Sequence, residues 1–386
     1  MGKWEMVRLG DVCDVQAGGT PARNNSVYWK DGTIPWVKIS DFTRKGVFRT
    51  EESITTLGLE NSSAKIFPVG TILFTIFATL GEVNILHIEA ATNQAIAGIN
   101  INNSDEIDRL FLVNYLISIK HRINDLGRGV AQNNINLSIL RNLMIPFPPL
   151  EVQQQIADVL DRASALIEKR KVQIDKLDLL VKSQFIEMFG DPVTNPKGWG
   201  NEKLDKVAPP TPYRGEVVTI NNKYWLLNLD AIKAQSGEIL ELKLVDKNEI
   251  GNSTVSFSAD NVLYSKLRPY LNKVVNVERS GYATTELVPL FPEKNKLNKE
   301  FLTALLRSDE FVSYINGKVA GAKMPRVNMV DLRNFKIILP SINLQNQFAS
   351  FVQQVEAQKS LFQESLTKLE LNYKSLMQKC FNGEIF

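Results

Sequence analysis

Residues 151–189 read EVQQQIADVLDRASALIEKRKVQIDKLDLLVKSQFIEMF, with no glycine or proline inside. Pro146, Pro148 and Pro149 precede them and Pro192 and Pro196 follow. Proline cannot continue a helix, so the stretch is expected to be one long helix with firm stops. Alternating steps of four and three from Ile156 land on Leu160, Ala163, Ile167, Arg170, Ile174, Leu177, Val181, Gln184 and Met188, and only Arg170 and Gln184 are not apolar. A seam of that period sustained along the whole segment predicts a coiled-coil partner rather than a globular surface.

The partner lies in the same chain. Adding 192 to each seam position gives Phe348, Val352, Val355, Lys359, Phe362, Leu366, Leu369, Tyr373, Leu376 and Cys380, where only Lys359 breaks the pattern. Identity extends past the seam: Leu140-Arg141-Asn142 returns as Leu332-Arg333-Asn334, and Lys182-Ser183 as Lys374-Ser375. The chain is written twice, and its two long helices are expected to pair through Ile156, Leu160, Ala163, Ile167, Ile174, Leu177 and Val181 against Phe348, Val352, Val355, Phe362, Leu366, Leu369 and Tyr373. Each helix spans roughly 38 residues, or about 57 Å at ~1.5 Å per residue.

A chain of 386 residues exceeds one ordinary domain, and the helices suggest a division into a block over 1–150, a central helix over 151–193, a second block over 194–340 and a C-terminal helix over 341–386. An apolar fraction of 44% lets each block bury its own core. Net charge is only +3, but it is unevenly placed: residues 1–150 hold 14 basic and 14 acidic side chains, and residues 194–340 hold 21 and 16. That excess is compatible with a polyanion without requiring one. Cys13 and Cys380 are too few for a disulfide framework or a thiolate metal site. The start MGKWEMVRLGD lacks an apolar signal region, Met6 stands where a myristoylation signal needs Ser or Thr, and the apolar run 66–80 is too short to cross a bilayer. A reducing cytoplasm and no membrane are expected.

Along each block the same features recur. Trp4, Leu9 and Val12 are echoed by Trp199, Leu204 and Val207, a packing motif. The polar turn AGGTPARNN, beginning at Ala17, leads into a short strand carrying Trp36, whose counterpart is Trp225, with Asp41 matched by Asp230. Short strands at 71–74 and 262–264 each open onto a loop, TIFATLGEV in the first block and SKLRPYLNKV in the second. Lys266, Arg268, Tyr270, Asn272 and Lys273 interleave cations with a ring and an amide, the chemistry a nucleic-acid surface needs; a solvated loop turning at Pro269 is the alternative. ATNQA at 91–95 aligns with ATTEL at 283–287, setting Asn93 and Gln94 against Thr285 and Glu286, either as base readers that differ between blocks or as local turn formers. A helix near 111–121, and its counterpart from 301, lead to the loops GRGVAQNN (127–134) and GKVAGAKMPR (317–326), then to short strands at 143–147 and 335–339.

Catalytic signatures are absent from the sequence. Two histidines without ligand-spaced partners make a metal centre improbable, and there is no nucleophile elbow and no GxxxxGK[ST] phosphate loop. Ala208-Pro209-Pro210-Thr211 lacks both the amide and the ring of an amino-methyltransferase tetrapeptide. The chain is expected to bind rather than catalyse.

GGTP and YWKDGTIPWVKISD within 18–41, NQA at 93–95, NLSILRNLMIPFPPLEVQQQI at 136–156 and their second-half echoes closely resemble the DNA specificity subunit of type I restriction-modification systems. The resemblance covers essentially the whole chain. It implies an α+β architecture: two tandem mixed α/β target recognition domains separated by two long antiparallel coiled-coil helices, with a pseudo-two-fold internal repeat. Each domain would read half of a split double-stranded DNA site, and the helices would set the gap and dock two methyltransferase subunits. ATP-dependent restriction/translocase subunits could join them, with S-adenosylmethionine, Mg²⁺ and ATP bound by those partners and no cofactor by this chain. Helix positions left over after pairing, Val152, Val159, Leu166 and Leu180, would offer the groove. With the loop chemistry above, candidate DNA contacts are Thr20, Arg23, Asn24, Arg44, Lys45, Thr79, Asn93, Gln94, Arg128, Gln132 and Asn133 in the first block. In the second they are Tyr213, Arg214, Lys266, Arg268, Tyr270, Asn272, Lys273, Thr285, Glu286, Lys323 and Arg326. The rival readings are a non-DNA helical-hairpin scaffold carrying two protein-binding modules and a stand-alone methyltransferase or nuclease, the latter disfavoured for want of a cofactor loop.

Overall fold

A computed structural model describes residues 4–43, 45–128, 134–321 and 324–386; side chains 126–128 and 320 are not described. The chain divides into two compact units, Met1–Lys169 with Ser365–Phe386, and Arg170–Glu364. Both contain mixed α/β structure and part of each long helix. Those helices run over Leu150–Phe189 and Ile342–Asn382. Each ends where a glycine adopts a left-handed conformation, Gly190 at φ 76° and Gly383 at φ 72°, a backbone that only glycine enters without cost. The prolines expected to stop the first helix stand beyond that point.

In the first unit, strands Cys13–Ala17, Ile96–Ile101, Ile72–Thr75 and Val83–Ile85 form an antiparallel sheet in that order. A second sheet has the order Glu52–Ile54, Ile34–Val37, Ala90–Thr92, Ile66–Phe67, with its central pair parallel. Every residue of Ile72–Thr75 is buried, because alternate side chains serve two cores. Leu73 packs with Val37, Phe67 and Ile96 between the sheets, while Ile72 and Phe74 pack with Leu112, Tyr115 and Leu116 of helix Arg109–Ser118 on the other face. Phe111, on that same helix, buries itself against Ile156, Ala157, Leu160, Met377 and Cys380 of the long helices.

The second unit repeats these pairings with one strand missing. Val274–Asn276, Val262–Ser265 and Leu287–Leu290 form a three-stranded sheet; Leu244–Val245, Tyr224–Leu227, Gly281–Thr284 and Thr254–Phe257 form the other. Where the first unit has Cys13–Ala17, the second has Ala208-Pro209-Pro210-Thr211-Pro212, which makes a single bridge from Pro210 to Leu290. Proline has no amide hydrogen to give to a ladder, so no strand forms there.

Trp225 does not occupy the place of Trp36, as the aligned sequence implied. In the parallel pairs Val37 faces Thr92 and Leu227 faces Ala283, so Leu226 corresponds to Trp36 and Trp225 comes one residue earlier. A shift of one residue sends a side chain to the opposite face of a sheet. Trp36 packs with Ile54, Ala64 and Ala91, whereas Trp225 joins Leu227, Phe257 and Leu263 between the sheets. The Trp36 Nε1–H donates to the Gly19 carbonyl at 3.0 Å, while Trp225 Nε1 has no hydrogen-bond partner.

The joint between block and helix is built alike in both units. Trp4 Nε1 donates to the Cys380 carbonyl at 3.2 Å, and Trp199 Nε1 to the Phe189 carbonyl at 2.8 Å. Strand Met6–Arg8 pairs with Met144–Pro146, and Asn201–Lys203 with Lys336–Ile338. One turn into each long helix is a fully buried glutamine, Gln153 and Gln345. Gln153 accepts from the Asp108 amide (2.8 Å) and donates to the carbonyls of Glu106 and Pro148 (2.9 Å each). Gln345 does the same with Asn298 (2.8 Å), Lys296 (3.0 Å) and Pro340 (2.8 Å).

Within the first unit the seam residues Ile156 and Leu160 are buried in a cluster onto which Tyr373 and Leu376 pack, and further along the helix Ala163 is half-buried and Ile167 buried. Within the second unit Phe185 and Phe189 meet Phe348 at 5.6 and 5.5 Å between ring centroids. There the two charged seam positions are accommodated differently. The Arg170 guanidinium lies 4.7 Å over the Phe362 ring, and the Lys359 ammonium pairs with Asp178.

Candidate DNA interface

In each unit three loops are stitched together at the same end of the central strands. In the first, the Ile76 amide donates to the Ala95 carbonyl (2.8 Å) and the Ile135 amide to the Ile76 carbonyl (3.1 Å), with Phe77 bridging Asn134. In the second, the Lys266 amide donates to Glu286 (3.0 Å), the Val327 amide to Lys266 (2.8 Å) and the Arg268 amide to Pro325 (2.8 Å), with Leu267 bridging Arg326. The loop after the first central strand, the ATNQA/ATTEL turn and the end of the glycine-containing loop therefore share one surface in each unit.

The turn's register corrects the sequence alignment. Thr75 lies opposite Ile96 and Ser265 opposite Leu287, so Gln94 and Ala95 correspond to Thr285 and Glu286. Glu286 thus has Ala95, not Gln94, as its counterpart; a two-letter identity is too short to fix a register.

In the first unit the Thr20 hydroxyl donates to Gln94 Oε1, bringing the glycine turn onto the same surface and leaving the exposed Gln94 amide nitrogen for a partner. Asn93 is a turn former, its side-chain oxygen accepting from the Ala95 amide at 3.0 Å. Thr79, Asn24 and Lys45 are exposed. Arg23 is held by Glu52 and lies 3.7 Å over the Trp29 ring. Lys38, which the sequence did not single out, joins the same knot with 2.9 Å contacts to Glu51 and Glu52. Burial pushes the Glu52 carboxyl up, but hydrogen bonds from Lys38 and Arg23 outweigh it and hold the group below the usual carboxylate range. Arg44, Gln132 and Asn133 lie outside the described residues, as does the side chain of Arg128.

In the second unit Arg268 is exposed and sits in the left-handed region at φ 49°, and Tyr270, at the centre of the turn Pro269–Leu271, is 47% exposed. A non-glycine residue held there stores strain of roughly 1–2 kcal/mol. Gln235 clasps this loop, its amide donating to the Leu271 carbonyl (2.9 Å) and its side chain to the Tyr270 carbonyl (3.0 Å). Arg214 and Thr285 are exposed, and Lys266 and Tyr213 half-buried. Two candidates face inward. Asn272 is 3% exposed and donates to the Arg307 carbonyl at 2.9 Å; Lys273 donates to the Leu229 carbonyl at 2.6 Å. Both tie the loop down: Asn272 supplies a donor to the Arg307 carbonyl at the end of its helix, and Lys273 adds a second donor to the Leu229 carbonyl, which also accepts from the Ile232 amide at 3.3 Å. Glu286 pairs with Arg326 at 2.7 Å, and Lys323 lies outside the described residues.

Sequence reasoning also missed an exposed stack. Phe48, 54% exposed, lies parallel to the His87 ring at 4.2 Å, with Lys45 and Arg49 beside it in the chain. An aromatic flanked by cations in RKGVFRT was the available signal. Among the described residues, no cluster of three or more His, Cys, Asp or Glu is placed to hold a metal, and no helix is long and apolar enough to cross a membrane.

The model for the type I restriction modification DNA specificity domain matches this chain twice, over residues 1–176 and 197–371. The chain belongs to that family. Among curated relatives of this specificity family, the type I restriction enzyme MjaIX specificity subunit of Methanocaldococcus jannaschii is 26% identical, the alignment covering 99% of this chain and 93% of that one. The MjaVIII specificity subunit of the same organism is 22% identical, with 99% and 93% covered. Among solved structures, a chain from a type I R-M system superposes with a TM-score of 0.61 at 19% identity, covering 99% of this chain and 98% of that one. The S subunit of a type I restriction-modification system from M. genitalium gives 0.51 at 16%, covering 98% and 96%. These likenesses establish the specificity-subunit fold. Specificity subunits are the non-catalytic, DNA-recognising members of type I systems.

Proposed function

We propose that this chain reads a two-part DNA site, one half with each unit's three-loop surface, and that its long helices fix the gap and carry two methyltransferase subunits. The observation that carries the reading is the recurrence of one loop architecture with different side chains: Gln94 and Ala95 stand where Thr285 and Glu286 stand, and Asn134 where Arg326 stands. Equal scaffolds with unequal donors and acceptors suit two readers of two different sequences. A single block burying ~600–1,000 Å² on DNA would discriminate poorly. Two readers carried by one chain multiply their selectivity when both engage at once. On the long helices, Leu166 (53% exposed), Leu179 (60%) and Leu180 (44%) are apolar positions suited to helices of the methyltransferase partners. Restriction/translocase subunits would join that complex, and S-adenosylmethionine, Mg²⁺ and ATP would be bound by the partners.

The test is methylome sequencing of a host carrying this chain with its cognate modification subunit. The expected result is adenine methylation at a motif with two defined halves and an undefined gap. Removing one heptad from both helices takes out ~10.5 Å, about three base pairs at ~3.4 Å each, so the gap should shorten by that amount. A continuous motif, or an unchanged gap, would contradict the reading.

A further inference from the structure

We infer that Arg326 reads a guanine in the half-site of the second unit and that Glu286 is the residue that positions it. This rests on the DNA-reading function proposed above and goes beyond it by assigning a base. Arg326 extends from the bridge with Leu267, on the three-loop surface, and its side chain is 55% exposed. One Nη donates to Glu286 Oε1 at 2.7 Å. The other carboxylate oxygen of Glu286, Oε2, is enclosed and has no hydrogen-bond partner. A carboxylate with one oxygen sealed inside cannot swing out to accept from a base, so Glu286 is not itself a reader. It binds the guanidinium by charge and by one hydrogen bond, fixing the plane of the fork.

A guanidinium has five N–H donors in a rigid plane. With one spent on Glu286, the exposed remainder still offers a parallel pair, which matches the O6 and N7 acceptors of guanine in the major groove and no other base edge as well. A phosphate contact needs no such clamp, since a free cation follows the backbone equally well. The pair belongs to the second unit: the corresponding positions of the first are Ala95 and Asn134, which have neither the acid nor the fork.

The experiment uses the full chain with its cognate modification subunit, and maps methylated sites in host DNA for the wild type and for Arg326→Ala, Arg326→Lys and Glu286→Gln. The wild-type motif should contain a G·C pair in the half-site that depends on the second unit. Arg326→Ala and Arg326→Lys should each relax that single position by roughly 10- to 100-fold, Glu286→Gln should relax the same position less, and the other half-site should keep its letters. On a synthetic duplex of the wild-type motif, 7-deazaguanine at that position should cost the wild type affinity but leave Arg326→Ala unaffected. A motif unchanged by Arg326→Ala overturns the inference alone. So does a uniform loss of methylation that Arg326→Lys restores, which marks a phosphate contact. A wild-type chain that directs no methylation overturns the proposed function and this assignment with it.

Discussion

Gln153 and Gln345, 192 residues apart, are both fully buried and make the same three hydrogen bonds, each to the amide opening a recognition-block helix and to two backbone carbonyls. A glutamine so placed fixes where the block sits on its own stretch of helix. Replacing either by Leu strands one amide and two carbonyls in a dry site, at about 1–3 kcal/mol for the groups left unpaired. Denaturant unfolding of Gln153→Leu and Gln345→Leu should show losses of that size. Wild-type stability in both would mean that the network holds nothing.

Arg268 offers two effects of opposite sign. Glycine enters the left-handed region without penalty, so Arg268→Gly should stabilise the chain by up to ~1 kcal/mol. It should also weaken binding at the second half-site, because an exposed cation leaves the surface. Thermal melts set beside DNA titrations check this; a variant that loses stability and keeps binding would show that the strained backbone has another cause.

Glu52 links stability to acid. Its carboxyl is held below the usual range by Lys38 and Arg23, so its contribution is present above the unfolded-state value, about 4.3 for a free glutamate. The contribution is lost as pH falls through the lower folded value. The stability gap between wild type and Glu52→Gln should therefore be largest at neutral pH and close on acidification. A gap that is constant from pH 7 to pH 3 would refute the linkage.

Residues 1–150 carry no excess of positive charge, so the first unit has little to hold phosphate by itself. Gel-shift titration should find weak binding by the isolated chain and a sharp rise when the modification subunit is added, with affinity falling steeply as salt increases. Equal tight binding in both conditions would contradict this.

The sequence revealed most where a repeat met a physical period. The uninterrupted course of the two long helices follows from proline placement and the +192 echo, because the second copy supplies an independent reading of the same constraint, while Trp4 and Trp199 recur at a spacing of 195. It misled where the argument depended on one residue of register. Trp36 and Trp225, and Gln94 and Glu286, align by letter but not by hydrogen bond, since strand pairing is decided by contacts distant in the chain. Asn272 and Lys273 show a third limit: a polar side chain in a basic loop reads alike whether it faces solvent or ties down its own backbone. The glutamine joints were invisible because Gln153 sits within the run QQQ, where composition suggests a solvated face.

The strand missing from the second unit leaves Leu287–Leu290 on the border of its sheet. A bare border strand invites a neighbouring molecule to add to it and so seeds aggregation. Here Pro289 lies within the strand and Ala208-Pro209-Pro210-Thr211-Pro212 runs alongside, with the Thr211 amide bonded to the Pro289 carbonyl at 2.8 Å. Few amide hydrogens remain for an intruding strand to use. The same prolines that dissolve the ladder thus guard this border against pairing with a second copy of the chain.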